Sequence, residues 1–130
     1  MKVKSILAML FFACTLSVMA QDKKTINEQF EMKTYYLVFL KKGAVRTQDS
    51  ATVVKLQEQH LAHLSKMFED KKMCIAGPLL DNTEVRGICV YNTSTFEEAK
   101  TLAESDPAVK AGRLMVEIHP WYAAKGTSLP

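Results

Sequence analysis

The chain has 130 residues, 48% of them apolar and 24% charged, with 17 basic and 14 acidic side chains. That length holds one ordinary domain with a single core and excludes a second. A formal net charge of +3 is too small for the electrostatic footprint of a nucleic-acid binder, and no basic amphipathic segment would lie on a membrane.

Residues 1–20 have the layout of a secretory signal peptide: Lys2 and Lys4, an apolar run from Ile6 through Leu16, and Val18-Met19-Ala20 before Gln21. The run is shorter than the ~20 residues that span a bilayer, and a polar stretch follows it, which argues against an anchor. Cys14 is followed by further apolar residues and has no Leu three positions before it, which argues against a lipid-modified cysteine. Cleavage after Ala20 leaves 110 residues with nearly balanced charge, destined for the periplasm or the exterior. Residues 21–33 read as a flexible lead-in to a domain over residues 34–121, and residues 122–130 as a tail.

The first strand is expected at residues 34–40. Alternation places Tyr36, Val38 and Leu40 on one side and Tyr35, Leu37 and Phe39 on the other, so both faces are apolar. Asp49 or Ser50 then caps a long helix over residues 50–70, because a short side-chain oxygen accepts an orphan backbone N–H. At about 100° per residue, Val53, Leu56, Leu61, Leu64, Met67 and Phe68 share a face with His60 near its middle, while His63 falls at the edge. An ionisable ring in that place is either a satisfied core histidine or a functional one.

Residues 73–76 and 85–91 read as a hairpin whose first strand is stopped by Gly77-Pro78, a stiff element that lets the backbone approach something closely. A two-residue turn at Asp81-Asn82 would set Cys74 opposite Cys89. Pro78 interrupts that pairing, so two buried thiols are the favoured expectation over a disulfide. Thr95 with Glu98, or Ser94 with Glu97, makes a capping-box pattern that opens a second helix, ended by Asp106-Pro107. Asp106 before Pro107 is also an ordinary N-cap with proline at the first helical position. A last strand at residues 114–118 is terminated by Pro120 and Trp121.

The order βαββαβ is that of a ferredoxin-like α+β sandwich: a four-stranded antiparallel sheet with two helices on one face. Two helices cover one face only, and the apolar outer side of the first strand points to a homodimer that closes two sheets into a dimeric α/β barrel.

His60-Leu61, Ala76-Gly77-Pro78, Arg86-Gly87, Glu98-Ala99, Asp106-Pro107, Ala111-Gly112 and Pro120-Trp121 together, in this order and spacing, resemble the YCII-related family over roughly residues 34–121. The resemblance implies the dimeric α/β barrel and an active site that pairs His60 with Asp106. Lys71-Lys72 departs from the family, which often has glycine at the first of these positions.

A carboxylate bonded to one imidazole nitrogen sets the tautomer and leaves the other nitrogen to take or give a proton. Such a dyad suits lyase, isomerase or dehalogenase chemistry without a cofactor, on a small cyclic or aromatic substrate. Gly77 and Pro78, with the aromatic residues Tyr36 and Trp121, are the candidate walls of its pocket. No nucleophile completes a triad, because Ser65 lies on the polar side of the helix and neither cysteine has activating neighbours. A metal site would need His60, His63 and His119 to converge with no acidic ligand spaced beside them, and no metal is expected. The rival to an enzyme is a non-catalytic homodimeric binding or scaffold domain in which His60 and Asp106 are structural.

Overall fold

The computed structural model describes residues 30–130, so the expected signal peptide and most of the lead-in lie outside the described residues. The elements are β1 (Met32–Lys42), α1 (Ser50–Glu69), β2 (Met73–Pro78), β3 (Val85–Tyr91), α2 (Phe96–Glu104), the single turn α3 (Pro107–Lys110) and β4 (Leu114–Ala124). All neighbouring strands are antiparallel, in the order β2-β3-β1-β4. With α1 and α2 on one face, this is the expected ferredoxin-like α+β sandwich.

The core lies between that face and the helices. Tyr36, Val38 and Leu40 of β1 meet Tyr91 of β3 and Met67 of α1. Complete burial of a side chain such as Val38 contributes about 2 kcal/mol. Ala99 and Ala103, one turn apart on α2, are almost fully buried; their small side chains let that helix sit close to the sheet.

The ends of the helices follow from local chemistry. The Asp49 carboxylate accepts from the Thr52 N–H at 2.7 Å, and this bond holds its pKa below the ordinary value. Thr95 Oγ1 accepts from the Glu98 N–H at 3.1 Å, and the Glu98 carboxylate reaches back to the Ser94 N–H at 3.1 Å. Helix α1 closes with Lys71 donating to the Phe68 carbonyl and Lys72 to the Met67 carbonyl, both at 2.9 Å. That pair of bonds requires a left-handed residue, and Lys71 takes it at φ 57°.

The sheet corrects several expectations, among them the stop at Gly77-Pro78: β2 runs through Pro78, with Gly77 opposite Ile88 and Pro78 opposite Gly87, as an edge strand tolerates. Strand β1 begins at Met32 and ends at Lys42, beyond residues 34–40 at both ends, because Met32 to Lys42 pair along the whole of β4. Pro120 and Trp121 do not end β4, which runs to Ala124 and takes the first residues of the expected tail with it. As an edge strand, β4 tolerates the missing N–H of Pro120. Cys89 lies opposite Ala76 rather than Cys74, because residues 79–84 form a longer connection and the register shifts between Met73 and Ile75. Both thiols are free; Cys89 is buried as expected, and Cys74 is exposed.

The left-handed conformation costs a side-chain-bearing residue about 1 kcal/mol that glycine avoids. Lys71→Gly is therefore expected to stabilise the protein by ~1 kcal/mol, read as a higher urea midpoint; an unchanged or lower midpoint contradicts this account of the helix end.

Candidate active site

Leu56, His60 and Met67 are the buried residues of α1, and His60 stands among them with its side chain 11% exposed. Leu61 and Phe68, expected on the same face, are 52% and 42% exposed instead. They flank the buried stripe and, with Leu64, form one wall of a cleft.

The partner of His60 arrives from the link between α2 and α3. Ser105 ends α2, and Asp106 leaves the helical region at ψ 127° before Pro107 opens α3. The Asp106 side chain is nearly fully buried, and its two oxygens do different work. Oδ1 accepts from the Ala108 N–H at 2.8 Å, capping α3, while Oδ2 accepts from His60 Nδ1 at 2.5 Å. The cap and the dyad are thus one carboxylate. An unpaired carboxylate so deep would cost several kcal/mol, and these two bonds offset that cost.

With Nδ1 committed, His60 Nε2 makes no hydrogen bond among the described residues, and the ring lines a cleft of about 700 Å³. The cleft lies between α1 and the near ends of β2, β3 and β4. Gly77 and Pro78 line it with His60. A Cβ on Gly77 would meet nothing within 4 Å, whereas one on Gly87 would lie 2.8 Å from the Gly77 carbonyl oxygen. Gly87 therefore brings the hairpin close, and Gly77 leaves the space open.

Tyr36 and Trp121 do not join this cleft. Tyr36 is in the core, edge-on to Phe96 at 6.1 Å between ring centroids. Trp121 pairs with Tyr35 and shares its outer face of the sheet. Both lie at the end of β1 away from Leu40, which is the part of that strand that reaches the cleft.

Cys89 lines the cleft, but burial, with the Asp106 charge adding to it, pushes its thiol up to about 12. It stays protonated and is a poor nucleophile. The three histidines do not converge. His119 lies on the outer face, donating from Nε2 to Glu117 at 2.9 Å and edge-on to Phe39. Among the described residues no group of three His, Cys, Asp or Glu side chains is arranged to hold a metal ion.

His63 was expected at the rim and is instead half-buried, with Nε2 shut from solvent and without a partner among the described residues. Burial lowers its pKa, the Asp106 charge opposes that, and His60 adds to it. Sequence reasoning also missed Arg46, Arg86 and Arg113, which line the cleft from three separate element ends. Their sequence signal is that these are the chain's three arginines, Arg86 and Arg113 at strand starts and Arg46 in the loop after β1.

The sequence model of the YCII-related domain matches residues 34–122. The chain belongs to the YCII-related family. Comparison of this YCII-related chain with curated proteins finds no match. Among solved structures it is similar to the 5-chloro-2-hydroxyhydroquinone dehydrochlorinase (TftG) from Burkholderia phenoliruptrix AC1100, in complex with 2,5-dihydroxybenzoquinone. The TM-score is 0.54 at 20% identity, over 72% of this chain and 99% of that chain. At that identity the likeness establishes the fold.

The lowered pKa of His63 has a definite consequence for stability. Below about pH 6.5 the unfolded chain takes up a proton that the folded ring resists, so stability is present above that pH and falls as pH drops toward the folded value. His63→Leu is expected to lose less stability than wild type between pH 7.5 and 5.5, measured as the shift in urea midpoint; equal losses would show that His63 is not responsible.

Proposed function

We propose that this protein is a cofactor-independent enzyme of the dehalogenase type, acting on a small cyclic or aromatic substrate with His60 as general base and acid and Asp106 as its positioning partner. The observation that carries the reading is the 2.5 Å bond from His60 Nδ1 to a buried carboxylate, made by a ring that lines an open cleft. Asp106 presents an acceptor to Nδ1 and so keeps the proton there, leaving the Nε2 lone pair for substrate. In the step we envisage, Nε2 takes a proton from a substrate hydroxyl or carbon. The freed electron pair forms a new π bond to a ring carbon that a preceding keto tautomerisation has made tetrahedral, and halide leaves that carbon with the pair of the broken carbon–halogen bond, so that HX is lost overall. No oxidant or reductant is consumed. The dehydrochlorinase of similar fold supports the choice of substrate class.

The proposal extends to assembly and location. The outer sheet face carries Tyr35, Leu37 and Phe39 with no helix over it among the described residues, and Trp121 and Met115 beside them are 43% and 49% exposed. A second copy packed there would form the dimeric barrel. Residues 1–20 would direct export to the periplasm or exterior. Sedimentation at the mass of two chains and a mature terminus at Gln21 are the expected readings; a monomer or a retained Met1 would remove the corresponding extension.

Activity is tested by chloride release from 5-chloro-2-hydroxyhydroquinone. His60→Gln and Asp106→Asn are expected to lower kcat by roughly 10²-fold or more, the usual worth of a positioned acid–base group. Release by wild type that both variants retain at full rate would show that the pair is structural and that the chemistry lies elsewhere.

A further inference from the structure

All three arginines of the chain, Arg46, Arg86 and Arg113, line the cleft that holds His60, and no lysine, aspartate or glutamate lines it with them. They come from distant places: Arg46 follows β1, Arg86 is near the start of β3, and Arg113 immediately precedes β4. Two of them are held together by backbone. Gly43 N–H donates to the Arg113 carbonyl at 2.9 Å and Val45 N–H to the Gly112 carbonyl at 3.0 Å. A Cβ on Gly43 would lie 2.0 Å from the Gly112 oxygen, so the approach requires glycine there.

The guanidinium groups have neutral partners. Arg46 Nη1 donates to the Arg113 carbonyl at 3.0 Å, Arg113 Nη1 to Gln48 Oε1 at 3.3 Å, and Arg86 Nη1 to Asn82 Oδ1 at 2.7 Å. Among the described residues none of the three pairs with a carboxylate, while Lys41, Lys42, Lys66, Lys72, Lys100 and Lys125 each do. Asp106, the carboxylate behind the cleft, is already occupied by His60 and Ala108. Each guanidinium has five donors in a planar fork, so most of that capacity is unspent. Three like charges sharing one cleft repel one another, and a bound anion reverses the sign of that interaction. The opposite wall, Leu61, Leu64 and Phe68, is apolar and suits a ring.

Resting on the catalytic reading above, we infer that the substrate is a small anionic ring compound whose carboxylate is held by these arginines while the ring faces His60. A planar carboxylate matches the guanidinium fork with two parallel bonds, which a lysine would not supply.

The test is binding rather than turnover, followed by amide chemical shifts of Gly77 and Gly87 during titration with 2,5-dihydroxybenzoate and with its neutral amide, 2,5-dihydroxybenzamide. The carboxylate is expected to bind at least tenfold more tightly than the amide, and Arg86→Gln and Arg113→Gln each to weaken it by tenfold or more. Arg86→Gln removes only two exposed bonds, to Asn82 and to the Thr83 carbonyl, so it remains informative should Arg113→Gln fail to fold. Equal affinity for acid and amide, or unchanged affinity in Arg86→Gln, would overturn the inference. A failure of the acid–base reading is seen separately, in the chloride release of His60→Gln, which the binding titration does not measure.

Discussion

The Asp106 carboxylate ties the helical layer to the cleft. It is buried where an unpaired charge would not be tolerated, and its two oxygens are spent on Ala108 and on His60. One bond starts α3 in the right place and the other joins that turn to the middle of α1, so the orientation of the His60 ring is set by the same group that caps α3. A change at Asp106 would act on packing and on the His60 ring together, which is why an activity loss alone says less than a measurement on the ring itself.

The sheet supplies the other half of the site. Its strand order brings the starts of β3 and β4, the end of β2 and the loop after β1 to one edge, opposite the face of α1 that holds His60. Gly87 and Gly43 make that convergence close enough: one draws β2 against β3, and the other locks the loop after β1 onto the segment before β4. The result is an open space with the His60 ring on one side and three guanidinium groups around it.

Local periodicity carried much of this in the sequence. The spacing of Leu56, His60 and Met67 already places an ionisable ring inward, and Asp106-Pro107 already marks a helix start. Pairing the two relied on resemblance to the YCII-related family, since nothing in the spacing alone joins residues that far apart. His63 was set at the rim because it is rotated by about 60° from His60 on the helix. Burial there is decided by α2 and α3 packing alongside, which one helix cannot reveal. Trp121 was expected to wall the pocket because Pro120 was expected to stop β4, and an edge strand does not obey that rule. The arginines were invisible to a reading of net charge, because fourteen acids balance the total while none lines the cleft.

The claim that His60 and Asp106 act as a coupled pair with Nε2 held free is tested most directly by the ring nitrogens themselves. Long-range ¹H–¹⁵N NMR of His60 in the neutral ring should show one tautomer, protonated at Nδ1, in wild type and a mixture in Asp106→Asn. A ring protonated at Nε2 in wild type, or a tautomer ratio that Asp106→Asn leaves unchanged, would contradict it.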